Sequence, residues 1–185
     1  MRRSVFVLFL ILGFLSISAQ NKKSKSVGNF SELYGLRQIS VFIDFSETSL
    51  NGQTEQSLLN MSDAGFGNWR EEKKEILFRF INKFAPYMSP LGITCIYEGD
   101  TETALIVKPS YVSNKGDVIA QAYVVDGSGK VLSSVALKGK GGHFGSFANL
   151  TGDGMEKVAE HLGSIITETM IKYNHNLKRS ERRNR

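Results

Sequence analysis

Two stretches of this 185-residue chain, 68–88 and 153–173, repeat apolar side chains at helical spacing, so each carries one stripe that must be covered. In the first, Ile76, Leu77, Phe80, Ile81, Phe84 and Met88 recur at steps of one, three and four. In the second, Met155, Val158, Ala159, Leu162, Ile166 and Tyr173 do the same. Asn68 with Glu71, and Asp153 with Glu156, have the spacing of a capping box, and Pro90 stands just beyond the first helix. Helices with one apolar side need a sheet or one another, and strand patterns supply the sheet. In QISVFIDF at 38–45, Ile39, Val41, Ile43 and Phe45 alternate with Ser40, Phe42 and Asp44. Phe42 makes the second face partly apolar, as in an interior strand.

Residues 93–98 and 103–112 read as further strands, with Pro109 marking an edge, a bulge or a strand end because it brings no ladder donor. Residues 117–125 and 130–138 flank Asp126-Gly127-Ser128-Gly129, a hairpin in which either glycine can take positive φ. The resulting order predicts an α+β (mixed α/β) domain. It is a single two-layer unit whose mixed, mainly antiparallel sheet of about five strands carries two helices on one face. The first strand–helix–strand passage reads as a right-handed crossover. With 41% hydrophobic and 22% charged residues, three Pro and one Cys, the chain is neither a collagen, a disulfide scaffold nor a disordered polymer.

The N-terminus has the pattern of a secretory signal: Arg2 and Arg3, an apolar run from Val5 to Leu15, then small or tolerated side chains to Ala19. The polar run 20–26 begins too early for a spanning segment of about 20 apolar residues. Cys95 is the only cysteine, so there is no intramolecular disulfide and no cysteine at the cleavage point to take a lipid. The expected organisation is a signal peptide at 1–19, a leader at 20–37, one domain at 38–173 and a basic disordered tail at 174–185. The destination is the periplasm or the outside, without a transmembrane anchor after cleavage. The segment 172–185 holds six Lys and Arg against Glu181, so the basic charge of the chain is concentrated there. That argues against specific nucleic-acid binding by the domain and leaves the tail at most a weak contact with an anionic surface.

Chemistry-bearing residues are few. Asp44 and Glu47 follow the first strand, where ligands often bind in sheets with parallel portions, and can bind a cation or act as an acid–base pair. Such carboxylates also simply cap turns. The Gly-rich stretch 139–147 lacks both the GKS or GKT ending of a triphosphate loop and the GxGxxG spacing, and reads as a compact turn. His143 within it would need catalytic or metal partners from elsewhere. Cys95 sits in a strand as a small hydrophobe with no base in view. No catalytic set, metal site or cofactor is read from the sequence. Trp69 and Arg70 either anchor the long connection 46–68 or present an aromatic and a guanidinium to a partner.

The strings DFSETSLNGQTEQSLLNM, NWREEKKEILFRFINKF and VVDGSGKVLSSVALKGKGGHFGS resemble an uncharacterised family of small exported Bacteroidetes proteins, over residues 38–170. In element order the chain also resembles TolB amino-terminal-like domains and penicillin-binding protein activator lipoproteins, although the lipid-bearing cysteine of the latter is missing. The resemblance implies a mixed α/β fold and an envelope location, and brings no catalytic residue onto this chain. The function expected is a noncatalytic envelope accessory domain binding a protein or glycan partner through Asp44, Glu47, Trp69, Arg70 and His143, with loops 46–68 and 139–152 as its surfaces. The alternatives are a small hydrolase-like or metal-binding enzyme using Asp44, Glu47 and His143, and a purely structural component.

Overall fold

The computed structural model describes residues 28–63 and 67–183; the expected signal peptide, 1–19, lies outside the described residues. In chain order the elements are β1 (Gln38–Ile43), β2 (Ser49–Leu50), α1 (Glu55–Asp63), α2 (Trp69–Met88), β3 (Thr94–Tyr97), β4 (Thr103–Val112), β5 (Val118–Asp126), β6 (Val131–Gly139) and α3 (Phe147–Arg183). One mixed sheet runs β3-β1-β4-β5-β6, with β2 beside the far end of β4. Strand β1 is parallel to both neighbours, placing Ile39 opposite Cys95 and Val41 opposite Leu105. Strands β4, β5 and β6 are antiparallel. The β5–β6 turn is the one the sequence announces. The Asp126 carboxylate accepts from the Ser128 amide and hydroxyl and from the Lys130 amide, and Gly129, not Gly127, takes the positive φ of 83°.

Pro109 sits at a break in the sheet. The β4–β5 register shifts between Pro109 and Tyr111, and β1 pairs with β4 only as far as Val107, whereas β2 starts at Tyr111. A residue without an amide proton cannot continue a ladder, so the chain leaves the sheet over 44–48 and returns as β2. The buried Thr48 hydroxyl donates to the Pro109 carbonyl at 2.7 Å across this gap. A second irregularity joins β3 to β4. Because both lie against β1, residues 98–102 must pass over that strand. The Ser40 hydroxyl donates to the Gly99 carbonyl, and the Thr101 hydroxyl accepts from the Ser40 amide.

Helices α2 and α3 lie side by side on one face of the sheet. Arg79 of α2 meets Asp153 and Glu156 of α3, and Tyr87 of α2 meets Thr167, so the two helices run parallel. Beneath them Phe80, Phe84, Met155, Leu162 and Ile166 pack onto Ile39, Val41, Leu105 and Ala122 in one core. Each such side chain contributes about 1.5–3 kcal/mol on burial. The shorter α1 leans on α2 through Leu58 and Leu59, giving three helices on the sheet rather than two.

Neither capping box forms. Asn68 precedes α2 without a side-chain cap bond, and the Trp69 amide donates instead to the Ser62 hydroxyl at 2.8 Å. Asp153 and Glu156 lie well inside α3, which starts at Phe147, and their carboxylates hold Arg79. The sequence places Gly152 at the end of the connection 139–152 and Gly154 in the first turn of the helix, and glycine costs about 1 kcal/mol inside a helix. Here a Cβ on Gly154 would sit 2.0 Å from the Gly116 carbonyl oxygen, so glycine lets the β4–β5 turn rest on the helix backbone. Order also extends past the expected boundaries. Phe30 and Leu33 of the leader are buried in the core, and α3 continues as helix through the basic tail to Arg183.

Candidate functional site

Side-chain alternation divides the sheet residues between two faces. Ile39 and Val41 face the helices, with Leu105 and Val107, and with Ala120, Ala122 and Val124. The other set faces away: Ser40, Phe42 and Asp44 on β1, Ala104, Ile106 and Lys108 on β4, Ile119, Gln121 and Tyr123 on β5. Register places Phe42 beside Ile106, Ile106 beside Tyr123 and Tyr123 beside Ser134. Beyond the Pro109 bulge, Tyr111 pairs with Ile119, and both are well exposed. No described helix lies on this face; the 98–102 crossing covers only its Ser40 end. Phe42, Ile106 and Tyr123 are therefore half-buried side chains in an apolar row reaching water.

Asp44 lies at the end of this row, where the chain leaves the sheet. Its carboxylate pairs with Lys108 at 2.9 Å and accepts from the Ser46 amide at 3.0 Å and hydroxyl at 2.6 Å. Burial works to raise the pKa of this group, but the Lys108 and Ser46 bonds outweigh it and hold the carboxyl below its ordinary value. A carboxylate so occupied is a turn cap and ion-pair partner. Glu47 is exposed nearby; its charge, after burial and against the opposing pull of Lys108, helps raise the Tyr123 phenol. Asp44, Glu47, Lys108 and Tyr123 thus share one region of the open face.

The remaining candidates lie elsewhere. His143 is exposed in the connection from β6 to α3, which rests on the β4–β5 turn, whereas Asp44 follows β1, and β4 and β5 lie between β1 and β6 in the strand order. Among the described residues no group of three or more His, Cys, Asp or Glu side chains is placed to hold a metal ion. Trp69 is 2% exposed, packed edge-on to Phe45 at 5.5 Å and against Phe147 at 6.3 Å, with its indole N–H on Glu55. It pins α1, α2 and the start of α3 together and is not a surface for a partner. Arg70 is exposed and pairs with Asp63, an exposed pair worth little. Cys95 has its thiol pushed up to about 11 by burial, the opposite of what a nucleophile needs. Stretch 139–147 folds as a turn, with the Gly141 amide donating to Asp117.

Residue-by-residue reading missed Ile106, Tyr111, Ile119 and Tyr123. A signal was present in Phe42 and in the apolar residues at both phases of several strands. What the periodicity lacks is any mark of which face the helices take.

No family model and no curated protein matches the chain. Among solved structures, a Xanthomonas campestris protein assigned to family DUF330 is similar with a TM-score of 0.35 and 9% identity, covering 77% of this chain and 90% of that one. A likeness this slight transfers neither fold nor function.

Proposed function

We propose that this is a noncatalytic accessory domain of the cell envelope, periplasmic or secreted, that binds a protein partner through the open face of its sheet. The observation that carries this reading is the uncovered row Phe42–Ile106–Tyr123 with Tyr111 and Ile119 beyond it, on a face where a two-layer domain ordinarily places polar residues. Ile106 and Ile119 offer no hydrogen bonds, which suits an apolar protein surface better than the hydroxyls of a glycan. Asp44, Lys108 and Glu47 border the row and give the partner an orientation. The signal-like N-terminus and the resemblance to exported envelope domains support the location. Among the described residues no helix is long and apolar enough to cross a membrane.

The test is site-specific photo-crosslinking in cells. A crosslinker at Ile119 should give a discrete protein adduct, whereas one at Lys157, exposed on α3, should not. Equal, diffuse labelling from both sites refutes the reading.

A further inference from the structure

The molecule has a second uncovered surface, on the helix side of the sheet where Tyr97 pairs with Val41, and its charge is complemented by another part of the same chain. Where the first turns of α2 pass the end of β3, a shallow depression of about 530 Å³ is lined by Glu71, Glu72, Glu75, Phe78, Tyr97 and the single cation Lys74. Phe78 is 54% exposed and Tyr97 42%. Glu98 adds to the negative field: after burial, its charge is the next cause raising the Tyr97 phenol. The surface is therefore an apolar floor with an acidic rim.

The distal part of α3 has the opposite character. Met170 is its last buried residue, and the helix runs on to Arg183 with Lys172, Lys178, Arg179, Arg182 and Arg183 against Glu181. Ile171 at its base is 62% exposed. Because α2 and α3 run parallel, with Arg79 level with Asp153, the depression lies toward their N-terminal ends and the basic segment at the far C-terminal end. At 1.5 Å per residue the two are roughly 45–50 Å apart, so the helix cannot reach the depression of its own chain.

We infer that the basic end of α3 docks into the Glu71–Phe78–Tyr97 depression of a second copy, so that the protein associates head to tail. Ile171 supplies an apolar contact and the Lys and Arg side chains meet the acidic rim. The contact uses different patches on the two copies, and so adds further copies in a row or closes a ring rather than stopping at a symmetric dimer. Resting on exposed charge, it is weak and salt-dependent.

Sedimentation velocity over a concentration series tests this on the purified protein. In low salt the average sedimentation coefficient should rise with concentration, and in high salt that rise should vanish. Reversing the rim, E71K/E72K/E75K, should abolish it, as should reversing the tail, K178E/R179E/R182E. All these side chains are exposed or half-exposed, and circular dichroism checks that each variant is folded. Mixing the two variants, or combining both sets in one chain, should restore association because the complementary charges are restored. A monomer at every salt and concentration overturns the inference, and so does association unaffected by rim reversal. Tail-dependent binding to phosphatidylglycerol vesicles by a protein that stays monomeric also overturns it, and assigns the basic helix to a lipid surface. The Ile119 crosslink does not depend on either charge set, so the two proposals fail separately.

Discussion

The two faces of the sheet are made by the same strands and differ in what lies on them. Under α2 and α3 every second residue is sealed: Ile39, Val41, Leu105, Val107, Ala122 and Val124 are almost wholly buried. One residue along each strand, Phe42, Ile106 and Tyr123 are also aliphatic or aromatic yet reach water. Apolar alternation alone therefore does not distinguish a core from an interface. The difference lies in the helices, whose stripes suffice for one face only, so the covered face holds the fold together and the open face remains available.

Substitutions separate these roles. Phe80→Ala, beneath α2, should lose about 3–5 kcal/mol in urea unfolding, as truncation of a fully buried ring does. A loss below about 1 kcal/mol would mean that the helix layer is not a true core. Gly154→Ala comes next and tests how closely the helix layer meets the turns. Intrinsic helix preference predicts a gain of about 1 kcal/mol. Contact with the Gly116 carbonyl predicts a net loss of about 1–3 kcal/mol, and the sign of the measured change decides between them.

At the border of the open face, Asp44 should matter through pH. Its folded value lies below its unfolded one, so the stabilisation is fully present above the ordinary carboxyl range and is lost as pH falls through the folded value. Asp44→Asn should flatten the acid side of a stability–pH curve and cost about 0.5–1 kcal/mol near neutrality, the discount reflecting partial solvent access. An unchanged acid limb would remove the ion pair from the account. The smallest change in stability belongs to Ile119→Ser on the open face, within about 0.5 kcal/mol of wild type, while the partner adduct disappears. A loss comparable to that of Phe80→Ala would make this second face structural.

Much of the fold is written locally. The alternation of 38–45, the stripe from Ile76 to Met88 and the Asp126–Gly129 turn each depend on residues close in sequence, and each element stands where those residues place it. Pro109 was legible too, as a place where pairing must lapse. What escaped depends on distant neighbours. Gly152 and Gly154 look like helix breakers until the Arg79 guanidinium is seen against the first and the β4–β5 turn against the second, and Asp153 and Glu156 look like caps until Arg79, from another helix, takes both carboxylates. The candidate site divides the same way. Asp44 as a turn cap follows from Ser46 two residues on, whereas the open row exists only once three strands are aligned. Trp69 and His143 are conspicuous by residue type, and neither joins that row.

The passage of residues 98–102 across β1 also governs how the protein is assembled in time. Strand β1 is complete at Ile43, but its two neighbours begin only at Thr94 and Thr103. During synthesis or export its Ile39-Val41-Ile43 edge must therefore wait, unpaired on both sides, until most of the sheet has emerged. A chain that crosses a membrane from its N-terminus holds that vulnerable strand open longest, and would rely on a chaperone or on rapid closure by β4 to avoid aggregation.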